Sequence, residues 1–312
     1  MDKINKSQFE WVGPSTIDSE SITRPSISYW KDAMHRLRKN KAAMVCLGII
    51  AFIALMSIIV PFFSPYTISE QHLFHTDAGM FFKDPTDGHM HIFGTDTLGR
   101  DIFTRLWAGG RVSLFISITA VFVNFVIGII YGGISGYKGG AVDNIMMRII
   151  EVINGIPYLI IIILLMMVLK QGVGTMVIAY ATVGWTGMAR LVRGQVMSLK
   201  QQDYITAARV MGAKPSRIIF KHLIPNTLSV VIVNITLAIP AVIFTEAFLS
   251  YIGLGVPIPL PSWGILAADG SAAFQSYPHQ LAIPAICICL TMLSFNLLGD
   301  GLRDALDPKL RR

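Results

Sequence analysis

Long apolar stretches alternate with short polar ones along this chain, and the apolar stretches are longer than the half-buried helices of a soluble domain require. A helix crossing about 30 Å of hydrocarbon needs roughly 20 mostly apolar residues. Six segments reach or approach that length: 42–63, 112–131, 149–169, 173–189, 228–248 and 281–298. The fourth is the shortest and contains glycine. The pattern predicts an all-α membrane protein with six transmembrane helices. Between the spans lie a polar outer loop (64–111), a Gly-rich link "GGISGYKGG" (132–140), a turn at Gln171-Gly172, a basic segment before the fifth span, and a Pro/Gly-rich loop "YIGLGVPIPLPSWG" (251–264).

Composition agrees with this reading. Only 14% of the 312 residues are charged and 53% are hydrophobic, which argues against two soluble domains. The net charge of +7 does not form a stripe interleaved with aromatics, so it gives no sign of nucleic acid. It fixes orientation instead, because cytoplasmic flanks carry the excess of Lys and Arg. With the N-terminus inside, only Lys83, Arg100, Arg105, Arg111 and Lys170 of the 26 basic residues fall outside. Both termini are then cytoplasmic. The organisation expected is a cytoplasmic tail and interfacial helix (1–41), a first transmembrane helix (42–63), the outer loop (64–111), a five-helix core (112–299) and a cytoplasmic tail (300–312).

At the N-terminal end, residues 1–27 are rich in Ser, Thr and Asp and read as a mobile tail. In "SYWKDAMHRLRKNKAA", Trp30, Met34 and Leu37 share a helical face, the pattern of a helix lying among lipid headgroups. The first apolar run is too long for a signal peptide and lacks a cleavage pattern, so it reads as a retained span. Cys46, Cys287 and Cys289 all fall within apolar runs, where a thiol behaves as a small hydrophobe.

The segment "DYITAARVMGAKPSRIIFKHLIPN" (203–226) stands out because it is basic, helix-prone and deliberately interrupted. Asp203 opens a helix on which Tyr204, Ala207, Ala208 and Met211 share a face. Gly212 breaks it, Ala213 and Lys214 follow, and Pro215 suits the first turn of a second helix. Pro225 marks a turn toward the next span. The expected product is a helix-turn-helix at the membrane surface. Its alanines allow close approach, Val210, Met211, Ile218, Ile219 and Phe220 supply apolar anchors, and Arg209, Lys214, Arg217 and Lys221 supply a charged rim. A connector whose charges only obey the positive-inside rule has the same composition.

The spacing of Ala207-Ala208, Gly212 and the final Ile224-Pro225 resembles the EAA loop of permease subunits of ATP-binding-cassette importers, E-A-A-x3-G-x9-I-x-L-P. Thr206 stands in for its Glu, His222 for its Ile and Ile224 for its Leu. "FGTDTLGRDIFTRLWAGGRVSL" (93–114), "TEAFLSYIGLGVPIPLPSWG" (245–264) and "NLLGDGLRDALDPKLR" (296–311) are similar to stretches of the C-type permease subunit of oligopeptide, dipeptide and nickel importers. The resemblance implies a type I importer permease fold in the bacterial cytoplasmic membrane. It implies a second permease as partner, two ATPase subunits that bind ATP and Mg, and an extracytoplasmic binding protein that delivers a peptide. It also implies that the 203–225 loop couples ATPase movement to the spans. Nickel or another small solute is the alternative cargo.

The remaining candidates are isolated residues. Glu246 lies toward the outer end of the fifth span; it is a candidate for gating or the pathway, or a carboxylate fixing helix packing through Arg105 or Arg111. Asn154 precedes a Gly/Pro break that suits a cavity wall. Arg148 and Glu151 are spaced to pair on one helix near Asp143. His72 with His75, and His89 with His91, raise a metal question, but in a loop without fixed geometry they are expected to be solvated. Trp263 and Tyr251 suit an interface or a docking surface. A secondary transporter run by an ion gradient is a second class of reading, but it would call for inverted repeats and mid-membrane carboxylates, and neither is evident. No G-x4-G-K-[ST], H-E-x-x-H or G-x-S-x-G motif occurs, so the chain is not expected to be an enzyme or to bind a cofactor or metal itself.

Overall fold

The computed structural model describes residues 29–85 and 88–307. The tail expected at residues 1–27, and residues 308–312 of the C-terminal tail, lie outside the described residues. Helices dominate. Helix α1 (Tyr29–Lys39) precedes α2 (Lys41–Phe63), and the outer loop follows. Then come α3 (Ile102–Lys138), α4 (Gly140–Asn154), α5 (Tyr158–Leu169), α6 (Val173–Val183) and α7 (Trp185–Leu199). After the short α8 (Asp203–Val210), the three-residue α9 (Pro215–Arg217) leads through a π-helical turn (Ile218–Leu223) into α10 (Ile224–Tyr251). Helices α11 (Trp263–Ala272) and α12 (Pro278–Leu306) complete the chain.

Among the described residues four helices are long and apolar enough to cross a membrane: α2, α3, the continuous run Pro215–Tyr251, and α12. Helices α4 and α5 make a fifth if taken together, but they are bent by 75°. The expected third span is therefore broken and bent at Gly155–Pro157, where Pro157 offers no backbone donor to continue the ladder. The expected fourth span is split as well. Residues 173–183 form α6, Gly184 interrupts it, and Trp185 starts α7.

Helix α3 is the trunk of the fold, and its length corrects two expected boundaries. Asp101 caps it, its Oδ2 accepting from the Thr104 N–H at 2.7 Å, so the helix begins at Ile102 inside the stretch read as outer loop. It then runs on to Lys138, so most of the supposed Gly-rich link is helical. Only Gly139 and Gly140 turn the chain, with φ of +66° and +56°. Gly128, Gly132 and Gly136 form one stripe on α3 at four-residue spacing. A Cβ on Gly132 would overlap the Ala189 carbonyl of α7, and one on Gly136 would lie 2.8 Å from the Arg193 carbonyl. In lipid no hydrophobic force draws helices together, so this close backbone approach carries the α3–α7 seam.

The inner ends of these helices are tied by polar groups. The Arg193 guanidinium donates to both Asp143 carboxylate oxygens at 2.6 Å, Ser135 donates to the same carboxylate, and Lys200 Nζ donates to the Gly136 carbonyl at 2.8 Å. Arg148 and Glu151 pair at 2.8 Å as their spacing indicated, on an exposed face. Helix α1 departs from the expected interfacial face. Trp30 and Met34 are exposed, but Leu37 turns inward against Ala43, Cys46 and Leu298. Tyr29 Oη donates to the Leu306 carbonyl at 2.8 Å, so the two ends of the described chain meet.

The outer loop is folded, and it adds the one departure from an all-helical chain seen among the described residues. Strands β1 (Phe82–Lys83) and β2 (Met90–His91) pair antiparallel. Asp96 accepts from the backbone N–H groups of Leu98 and Arg100 and from Arg100 Nε at 2.7 Å. Arg100 in turn reaches Asp269 of α11 at 3.1 Å. Trp263, read from sequence as an interfacial or docking residue, is fully buried and donates its indole N–H to the Leu106 carbonyl at 3.0 Å. The ring fills the core between α3 and α11 because its one polar atom finds a partner there.

Candidate functional site

The segment 203–226 forms a corner of the fold where α3, α7 and α10 meet. Helix α8 ends in a Schellman motif: the Ala213 N–H bonds the Ala208 carbonyl at 3.0 Å and the Gly212 N–H bonds the Arg209 carbonyl at 3.0 Å. That geometry requires a left-handed residue, and Gly212 supplies it with φ of +79°. Pro215 then occupies the first turn of α9, where its missing N–H has no intrahelical partner to lose.

Past Arg217 the chain does not turn at Pro225, contrary to the sequence expectation. It stays helical through a π turn, in which the Ile224 N–H bonds the Ile219 carbonyl five residues back. A proline inside an α-helix removes one backbone bond and crowds the carbonyl four residues before it. The wider π register immediately before Pro225 takes up that misfit, so the segment is continuous with α10 and moves with it.

The two faces of the segment differ. Ile205, Ile218, Ile219 and Leu223 are buried and pack with Ile129 of α3, Val192 and Val196 of α7, and Val231 of α10, and Ala208 is buried as well. Ala208, Ile218 and Ile219, expected to meet a partner, instead hold the corner to the bundle, because they occupy the inward stripe of their turns. Facing out are Tyr204, Ala207, Val210, Met211 and Phe220, with Asp203, Lys214, Arg217 and Lys221 around them. Val210 is 83% exposed and Met211 80%. Arg209 leans back, its guanidinium 5.9 Å from the centre of the Tyr137 ring of α3. An apolar cluster rimmed by cations is the composition of a protein-binding surface. The segment's inward residues share one apolar cluster with α3, α7 and α10.

A second feature lies deeper. A groove of about 470 Å³ is lined by Asn124, Asn154, Tyr158, Thr186, Asn234 and Thr245, among others. Thr186 donates its hydroxyl to Asn154 Oδ1 at 3.0 Å. The walls carry neutral donors and acceptors and no charge. Glu246 is not part of it. It is fully buried, and its two carboxylate oxygens accept from Ser113 and Ser250, each at 2.7 Å. Neither Arg105 nor Arg111 pairs with it: Arg105 donates to the Ile68 carbonyl at 3.1 Å and Arg111 lies over the Phe62 ring. The structure therefore separates the two residues singled out as gating candidates, with Asn154 on the groove and Glu246 in the packing of α3 against α10.

Comparison with known proteins adds to this geometry. Residues 102–312 match the family model described as binding-protein-dependent transport system inner membrane component, and residues 28–85 match the N-terminal TM domain of oligopeptide transport permease C. The chain belongs to the binding-protein-dependent inner membrane component family. It is 51% identical over 312 residues to the oligopeptide transport system permease protein of Bacillus subtilis, covering 100% of both chains. It is also 51% identical over 296 residues to the dipeptide transport system permease protein of that organism, covering 95% of this chain and 90% of the relative. The oligopeptide permease protein of Escherichia coli K12 is 42% identical over 293 residues, covering 94% and 95%.

For an inner membrane component, the outer corner also matters. Asp269 sits between Arg100 and Arg105 at 3.1 and 3.7 Å. Burial holds the Asp269 carboxyl above the ordinary aspartate range, outweighing the lowering by Arg100 and Arg105. Gln280 of α12 donates to Asp77 at 2.9 Å and to the Thr95 carbonyl at 3.1 Å. This knot ties the outer loop to α11 and α12. Sequence reasoning did not single out Asp269, Gln280, Asn124 or Asn234. The two asparagines were legible as amides inside apolar spans, which is a default functional signal.

Proposed function

We propose that this chain is one of two permease subunits of an ATP-driven importer of oligopeptides or dipeptides. A second, related permease completes the translocation path, two ATPase subunits hold ATP and Mg, and an extracytoplasmic binding protein delivers the cargo. The observation that carries the reading is the full-length identity of 51% to an oligopeptide transport permease, joined to an exposed apolar corner at 203–226 that is continuous with a long apolar helix. The neutral amides and hydroxyls of the Asn154 groove fit the repeated donors and acceptors of a peptide backbone without selecting a charge. That favours peptide over a metal ion as the cargo on this path.

The topology proposed has six crossings: α2, α3, the bent pair α4–α5, the pair α6–α7, α10 and α12, with both termini in the cytoplasm. The distribution of Lys and Arg supports it. The contact of Tyr29 with Leu306 supports termini on one side. In the working cycle ATP draws the ATPases together, they carry the corner around Gly212 with them, and α3, α7 and α10 follow as a unit, because the inward residues of the corner are shared among them.

Reconstitution tests this. Proteoliposomes containing both permeases and the ATPases, supplied with binding protein and a labelled peptide, should take up peptide only with ATP. Arg217→Glu on the exposed rim should abolish uptake while leaving membrane insertion intact. ATP-independent uptake driven by an ion gradient, or full uptake by the Arg217→Glu importer, would overturn the assignment.

A further inference from the structure

The outer loop closes around a buried carboxylate surrounded by imidazoles. His72 Nδ1 lies 3.0 Å from Asp84 Oδ2, and His91 Nε2 lies 3.8 Å from the same oxygen. His75 Nε2 lies 3.5 Å from Asp84 Oδ1. Asp84 and His91 are fully buried. One donor atom each from His72, Asp84 and His91 fall within 4.8 Å of one another. The loop had been expected to leave its histidines solvated. It buries His91 and half-buries His72 and His75, leaving His89 exposed, because Tyr66 stacks on the His91 ring at 4.2 Å and meets the His72 ring edge-on at 5.5 Å.

Two details distinguish this cluster from a plain ion pair. His91 Nδ1 is bound to Asp101 Oδ1 at 2.8 Å, the same Asp101 that caps α3, which turns Nε2 toward Asp84. A carboxylate holding the far nitrogen of an imidazole is the usual second contact of a metal-binding histidine. His91 Nε2, the atom aimed at Asp84, is also buried without a hydrogen-bond partner. The spacings agree as well: a tetrahedral site with bonds of about 2.0–2.1 Å has edges of about 3.3 Å. The contacts of His72 Nδ1 and His91 Nε2 to Asp84 Oδ2, 3.0 and 3.8 Å, bracket that value.

We propose that His72, Asp84 and His91 bind one divalent cation of the zinc class on the outer face, with His75 on the other Asp84 oxygen. A donor set of two imidazole nitrogens and one carboxylate oxygen suits Zn²⁺ over Mg²⁺ or Ca²⁺, which prefer oxygen-only shells. Two of the three ligands are fully buried, which makes the site structural. It joins the turn at Leu73–His75, the ends of β1 and β2, and the cap of α3. A two-residue ladder cannot hold such a loop by itself. The metal fastens the loop to the trunk helix, which presents a fixed outer surface. The inference does not depend on the cargo.

The test uses the full-length chain in detergent, carrying a non-histidine tag, stripped with chelator and dialysed against Zn²⁺. Elemental analysis should find about one zinc per chain, falling to background in His91→Gln and Asp84→Asn but retained in His89→Gln. Zinc should raise the Tm of the wild-type chain and not of the first two variants. Zinc retention by the wild type no greater than by His91→Gln, or equal retention by all chains, would overturn the site. Should the two ligand variants aggregate, Co²⁺ added to the wild type decides: an intense tetrahedral visible spectrum supports the proposal, and a weak octahedral one or none refutes it.

Discussion

At the scale of single residues, three positions carry most of the testable content. Gly132 faces the Ala189 carbonyl with no room for a side chain. Gly132→Leu should push α3 off α7 and cost about 1–3 kcal/mol or more by overpacking, read as a lower Tm in detergent and reduced yield. Gly212 is different, since open space surrounds it and only its backbone angle is special. Gly212→Ala should therefore cost about 1 kcal/mol through the left-handed conformation alone, read as faster proteolysis at 203–215 with the global Tm little changed. Glu246→Ala would leave the Ser113 and Ser250 hydroxyls unpaired in a buried site. A loss of about 2–4 kcal/mol is expected from the stranded polar groups and the void. If Glu246→Ala kept its Tm and lost only uptake, the packing role assigned here would be wrong. Residue chemistry was partly legible in the sequence: Gly212 and Pro215 announced the turn and restart. Ala208, Ile218 and Ile219 were misread because their inward orientation depends on which way the corner leans on α7, a tertiary fact.

At the scale of elements, helix existence was legible and helix length was not. The apolar runs located α2, α3, α10 and α12, since twenty apolar residues in lipid have few alternatives to a helix. The ends were hidden because polar residues extend these helices past the apolar core. Arg105 sits inside α3 with its charge answered by Asp96 and Asp269, and Lys138 ends it thirty-three residues on. Gly132 and Gly136 were read as part of a link and Gly128 as part of a span, although the four-residue spacing of the three is itself the signature of a close helix seam. The inner lock between α4 and α7 yields a prediction at this scale. Asp143→Ala and Arg193→Met, alone and together, should show a coupling of about 1 kcal/mol in Tm-derived stability, since the Arg193 side chain is 31% exposed and partly screened. Additive effects would mean that the pair contributes nothing beyond its separate surroundings.

At the scale of the whole molecule, the account is that an exposed inner corner, a neutral central groove and a pinned outer loop hang on one trunk helix. Family membership was readable from quoted motifs because those motifs build the corner, the outer knot and the last helix. The folded state of the outer loop was not readable, because Asp84 and the three imidazoles around it come together only once β1 and β2 pair. The central claim is that the corner at 203–226 receives the ATPase. The most direct measurement is cross-linking in the assembled importer, with Cys46, Cys287 and Cys289 replaced and a single cysteine introduced by Met211→Cys or, as an outer-face control, by Phe74→Cys. Phe74 is 96% exposed in the outer loop, so both positions are reachable. The account predicts an ATPase adduct from Met211→Cys that changes yield with ATP, and none from Phe74→Cys. No adduct from Met211→Cys in an importer that retains peptide-stimulated ATPase activity would contradict it.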